Sequence, residues 1–267
     1  RYAVANGNWN QTSVWSTTAG GLGGASVPVA GDDVIINNGR TVTVTAAAAC
    51  NSITFASASG TITVNTGVVL DVTTNITLQN LALGNTAATL TGAGSITCAT
   101  LNVGGTIVAP NLTGDGNNTL TCSVGSISVS GDVSLRGVDD GADDSNPTLN
   151  FQSGTMTVGG SVILNEDNGS AVLFTMASGA GTGTLDLSGT TPFTITGGPT
   201  FTAFGGGNGQ TVRYSGGAQT VLGVAYGTLE LAGSGVKTTT GVTVNNKLSI
   251  QGAATVGNTF TYSTAIL

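Results

Sequence analysis

Residues 119–135 read T-L-T-C-S-V-G-S-I-S-V-S-G-D-V-S-L, and residues 148–164 read T-L-N-F-Q-S-G-T-M-T-V-G-G-S-V-I-L. Each stretch holds three short runs in one internal order. An opener (Thr119-Leu120-Thr121-Cys122, Thr148-Leu149-Asn150-Phe151) leads to a turn and a second run (Ser126-Ile127-Ser128-Val129, Thr155-Met156-Thr157-Val158). A two-residue corner, Ser130-Gly131 or Gly159-Gly160, then leads to a third run, Asp132-Val133-Ser134-Leu135 or Ser161-Val162-Ile163-Leu164. Within each run apolar and polar residues alternate, which is the period of a half-buried strand. β-Branched residues suit the pleat, and Gly, Asn and Ser at the boundaries suit tight corners.

Further openers occur at Thr89-Leu90-Thr91, Thr184-Leu185-Asp186-Leu187 and Thr228-Leu229-Glu230-Leu231, with Gly197-Gly198 and Asn245-Asn246 read as further corners. The spacings of 30, 29, 36 and 44 residues describe constant strands joined by loops of variable length. One such unit cannot bury its apolar side, whereas stacked units pile Val, Ile and Leu into one continuous core and turn Thr outward. The prediction is an all-β chain, a parallel β-solenoid (β-helix) with rungs of variable length. Its hand is right, because parallel crossovers are overwhelmingly so. An N-terminal cap is assigned to residues 1–33 and a single continuous solenoid domain to 34–267. An antiparallel sandwich or an up-and-down barrel also suits two-residue corners, but neither has a reason to repeat a three-strand unit.

Composition agrees. The chain has 267 residues with 43 Gly, 7% charged and 5% aromatic residues. Glu and Lys occur twice each, and no window carries a 3.6-residue apolar period, so no long helix is expected. The net charge is −7, and the six basic residues Arg1, Arg40, Arg136, Arg213, Lys237 and Lys247 are scattered, which speaks against a nucleic-acid partner. No stretch approaches 18 consecutive apolar residues, so no membrane span is expected. Cys50, Cys98 and Cys122 lack CxxC spacing and read as buried thiols, with a bridge from Cys50 or Cys98 open in an oxidising compartment.

A family resemblance rests on two stretches. Residues 212–250 (V-R-Y-S-G-G-A-Q-T-V-L-G-V-A-Y-G-T-L-E-L-A-G-S-G-V-K-T-T-T-G-V-T-V-N-N-K-L-S-I) resemble a repeat of large glycine- and threonine-rich β-solenoid proteins secreted to the surface of Bacteroidetes-type bacteria. Gly7-Asn8-Trp9, Trp15, Val27-Pro28, Gly31-Asp32-Asp33-Val34-Ile35-Ile36 and Gly39-Arg40-Thr41-Val42-Thr43-Val44 resemble the opening module of such proteins. The resemblance implies export to the cell surface or beyond.

Chemistry is sparse. With no histidine in the chain, Ser-His and Cys-His catalysis and most zinc sites are excluded. Two acidic loops follow equivalent third runs: Asp139, Asp140, Asp143 and Asp144 after Leu135, and Glu166 and Asp167 after Leu164. Equivalent corners of adjacent rungs lie about 4.8 Å apart, so the six carboxylates are expected at one edge, where calcium is the candidate ligand and a solvated acidic loop the alternative. Glycoside cleavage by paired carboxylates is weaker, because the acids sit in an inserted loop. Thr-x-Thr runs such as Thr41 to Thr45, Thr61-Thr63 and Thr155-Thr157 invite an ice-binding reading; unequal rungs argue against a regular lattice, and strand propensity alone explains the Thr. Trp9 and Trp15 read as parts of the cap, with a sugar-stacking platform as the alternative.

The sequence thus predicts a secreted structural or adhesive surface protein without enzymatic chemistry. A carbohydrate-binding module or polysaccharide-active β-helix bound to a surface glycan is the runner-up. The strand-like segments Thr259-Phe260-Thr261-Tyr262 and Ala265-Ile266-Leu267 suggest a homo-oligomer or filament, in which Phe260, Tyr262 and Ile266 of one copy meet the Trp9 and Trp15 region of the next.

Overall fold

The computed structural model describes the chain except residues 37–38, 56–59, 79–85, 105–115, 140–143, 168–169, 177–181, 207–208, 258–260 and 263–267. Among the described residues there is no α-helix; the one helical turn is the 3-10 segment Thr12–Val14. The protein is all-β, and its long sheets are almost wholly parallel.

Strands gather into three stacks. The first runs through Gly7–Asn8, Thr41–Val44, Gly60–Val64, the first half of Thr86–Cys98, the first half of Gly116–Val129, Asp144–Phe151, Leu173–Thr175 and Thr200–Thr202. The second contains Ala48–Cys50, Val69–Val72, the second halves of the same two long strands, Thr155–Val158, Thr184–Leu187, Thr211–Tyr214, and residues 228–231 and 247–250. The third contains Asp33–Ile36, Ser52–Phe55, Asn75–Leu78, Thr100–Gly104, Val133–Arg136, Val162–Asn165 and Phe193–Thr196. Thr86–Cys98 and Gly116–Val129 pass from the first stack to the second without a break, which joins those two sheets. The chain visits the stacks in the fixed order third, first, second, as stacked rungs require.

The core follows from alternation. In Thr41–Val44, Ser52–Phe55 and Thr184–Leu187 every second residue is buried, and Val42, Val44, Ile53, Phe55, Leu185 and Leu187 are all fully enclosed. Such a row gains roughly 25 cal/mol for each Å² of apolar surface withdrawn from water. The corner between the first and second stacks is tight. Gly154 has φ +82°, and a Cβ there would stand 2.0 Å from the Val124 carbonyl oxygen. Only glycine fits where one corner lies so close on the next.

The openers do not all occupy one place. Thr119 pairs with Thr148 in the first stack, but Thr184 pairs with Thr155, and Thr228 with Thr211, in the second. Leu90 stands beside Cys122, two residues from the partner that matching openers imply. Alternation fixes which side chains point inward, and both a two-residue slip and a move to another stack preserve that facing. For the same reason the corners are not equivalent. Gly159-Gly160 leads from the second stack to the third, whereas Asn245-Asn246 lies within Thr243–Ile250 at a register shift against Tyr226 and Thr228.

Residues 1–33 join the ends of two stacks. Tyr2 pairs with Ile35, Gly7–Asn8 with Val42 and Thr43, and Trp15–Ser16 lies antiparallel to Tyr2–Ala3 as the outermost strand. Toward the other end the repeat shortens: Leu185 pairs with Val212, 27 residues on, but Val212 pairs with Leu229, only 17 on. There the third stack is interrupted. Phe193–Thr196 ends one sheet, and Gln219–Val221, Ser234–Thr239 and Ala253–Gly257 form a separate three-stranded sheet.

Candidate functional site

Arg136 pairs with Asn165, so the segments that follow leave neighbouring strands on the same side. Asp139 pairs with Asp144 in an antiparallel turn of the chain; their side chains, and residues Asp140 and Asp143 entirely, lie outside the described residues. The backbone oxygen of Asp167 accepts from the Ser170 hydroxyl within its own corner, and the Glu166 amide donates to the Thr196 oxygen of the next rung. Among the described residues no three His, Cys, Asp or Glu side chains converge on a point that could hold a metal ion.

The tryptophans are inside. Trp9 and Trp15 are 3% and 0% exposed, their rings meet edge to face at 5.0 Å, and the Trp15 indole donates to the Trp9 carbonyl oxygen at 2.7 Å. Rings so enclosed do not form a platform on which a sugar could stack. Phe260 and Ile266 lie outside the described residues; of Tyr262 the backbone is placed, and it pairs with Val244. Cys50, Cys98 and Cys122 are free and buried, with no bridge from Cys50 or Cys98, and burial pushes all three thiols up to about 12. They are neutral and unreactive at ordinary pH.

Polar groups converge instead at the interruption of the third stack. Tyr214 and Tyr226 share a 2.9 Å hydrogen bond between their hydroxyls, and Tyr226 also donates to the Leu222 oxygen. Burial raises both phenols, Tyr214 to about 12. Lys237 points inward from its strand, and its ammonium donates to the oxygens of Gly216 and Gly217 and to Oε1 of Gln219. Burial lowers its pKa. Gln219 turns its amide nitrogen to the oxygens of Leu187 and Gly189. These groups tie the short rungs to the longer ones. Beside them a cleft of about 330 Å³ is lined by Thr190, Thr191, Pro192, Phe193, Ile195, Thr220 and Leu222. Its walls are two strands, Phe193–Thr196 and Gln219–Val221, each paired on its other side only.

The sequence reading missed these contacts, because they join residues that only the register brings together. Lys237 stands beside Gln219, and Arg213 stands between Asp186 and Glu230 on successive strands of the second stack, at 3.8 and 3.9 Å. Partly exposed pairs of that length contribute about 0–1 kcal/mol each.

The outward faces carry hydroxyls in register. On the first stack Thr41, Thr61, Thr89 and Thr121 form one column, continued by Asn150, Thr175 and Thr202. Thr43, Thr63, Thr91 and Ser123 form the column beside it, with Ser123 donating to Thr91 at 3.2 Å. No family model matches the chain, and no curated protein or solved structure proved similar to it. No helix among the described residues is long and apolar enough to cross a membrane.

Proposed function

We propose that the three stacks are the faces of one right-handed β-solenoid capped by residues 1–33, and that it serves outside the cell as a structural or adhesive surface protein. The observation that carries this reading is the pair of in-register hydroxyl columns on the first stack. A long, neutral, hydrogen-bonding face on a rigid rod suits contact with an extended surface. The buried thiols, the Tyr214–Tyr226 pair and the Lys237 network support the same reading, since each serves packing and none faces a substrate space.

The cleft beside Phe193 favours one second reading, a module that binds a small glycan against an apolar wall. One set of assays separates the two. Pull-down on insoluble surfaces and negative-stain imaging should show surface binding or filaments. Release of reducing sugar from polysaccharides would contradict the proposal, and glycan binding lost in Phe193→Ala would favour the second reading.

A further inference from the structure

The irregular lengths of the repeats leave the register of the first stack intact. Connections from the third stack to the first vary from three residues, between Thr196 and Thr200, to eleven, between Gly104 and Gly116. As far as Thr155, connections from the first stack to the second stay within four residues, and two of them vanish inside the continuous strands Thr86–Cys98 and Gly116–Val129; beyond it, Thr175 to Thr184 and Thr202 to Thr211 are each joined by eight residues. In the rungs up to Val158, which hold the four strands considered next, the inserted residues therefore fall at one edge. Across Thr41–Val44, Gly60–Val64 and the first halves of the two long strands, each outward residue stands directly beside its equivalent. This removes the objection that unequal rungs spoil a lattice.

The result is a net of seven threonines and one serine: Thr41 and Thr43, Thr61 and Thr63, Thr89 and Thr91, Thr121 and Ser123. Neighbours along a column lie about 4.8 Å apart, and the two columns about 6.6 Å apart, from the spacings of parallel strands. All eight side chains are partly exposed, and none of the eight positions is charged or aromatic. The other faces differ: the second stack presents Asp71, Asp186, Arg213 and Glu230, and the third presents Asp33 and Arg136.

We infer that this neutral net is an ice-binding face, with the ordered water of an ice surface as its partner. The proposal rests on the adhesive reading above and names the surface. The net approximates the oxygen repeats on faces of hexagonal ice. Threonine is β-branched and stiff at χ1, so its hydroxyls are ordered beforehand and little rotamer freedom is lost on contact. Water held over such a face does not have to displace ions, which a charged face would retain in its own hydration shell. Polysaccharide surfaces are a poorer match, because sugar rings are bound by stacking on aromatic side chains, and this net has none.

The test is growth of ice grains in frozen sucrose solution, scored with the whole chain, with Thr63→Lys/Thr91→Lys on the first stack and with Thr155→Lys/Thr184→Lys on the second. The wild-type chain and the second-stack variant should slow grain growth, and the first-stack variant should return it to the rate of buffer alone. Circular dichroism melting should be the same for all three. If the lysine pair lowers the melting temperature, Thr63→Val/Thr91→Val, which keeps shape and removes the hydroxyls, takes its place with the same expectation. Grain growth unaffected by the wild-type chain, or equally slowed by both variants, overturns the proposal. Inert behaviour on ice with binding to cellulose or chitin overturns it too, yet leaves the adhesive reading standing; binding to no solid surface overturns both.

Discussion

Cys50, Cys98 and Cys122 illustrate what a residue type and its neighbours tell in advance. Each was expected inside because an unpaired cysteine behaves as a small hydrophobe, and each is enclosed by the core. Their chemistry follows from that enclosure. A thiol whose pKa rises from 9.0 to about 12 on folding keeps its proton in the native state while the unfolded chain loses it above pH 9. The folded state then binds more protons, so stability is fully present below pH 9 and falls as pH rises from there toward 12. Denaturant melts between pH 8 and 11 should show that decline, and Cys98→Val should make it shallower. A flat profile would contradict the burial assigned to these thiols. Lys237 shows what the residue scale hides. From sequence it reads as one of six scattered cations, and only the pairing of its strand with Gln219 reveals that it points inward to three oxygens.

At the scale of elements, the strands and their inward sides were legible and the partners were not. A Thr-Leu alternation states which residues are buried, so Leu120, Leu149, Leu185 and Leu229 were all correctly placed in the core. It carries no label for the stack, and Thr184–Leu187 therefore sits in the second stack although its sequence matches strands of the first. Corner glycines hold the missing information. Gly154 marks the passage from the first stack to the second, and a Cβ there meets the backbone of the neighbouring corner. Gly31, in contrast, has open space around it. Gly154→Ala should cost more than about 1 kcal/mol, since it adds left-handed strain and a backbone clash, whereas Gly31→Ala should be near neutral. Equal denaturation midpoints for the two variants would show that successive corners do not press on each other as described.

For the whole molecule, variable loops concealed a constant register. Repeat spacings in the sequence count strands and insertions together, and from them the outward lattice looked irregular. In the rungs up to Val158 the insertions gather at one edge, so the first stack there is an ordered face; beyond them, eight-residue connections also follow Thr175 and Thr202 at the other edge. The interruption near Phe193 marks where rungs of 27 residues give way to rungs of 17, and the Tyr214–Tyr226 and Lys237 contacts lie at that junction. The 44-residue opener spacing, read as one repeat with a longer loop, in fact holds two rungs, Leu185 to Val212 and Val212 to Leu229, and the polar groups that bridge them could not be paired without the register.

Everything proposed for the function depends on the rungs being stacked in one parallel register, and pulsed electron spin resonance measures that directly. The native thiols are buried, so spin labels can be directed to cysteines introduced at outward positions of the first stack. Thr41 to Thr121 spans three steps and Thr41 to Thr202 spans six. At about 4.8 Å per step the backbone separations are roughly 14 Å and roughly 29 Å. The predicted result is a distance that grows in proportion to the number of steps for Thr41 paired with Thr121, Thr175 and Thr202; distances that fail to increase in that order would contradict the stacked register.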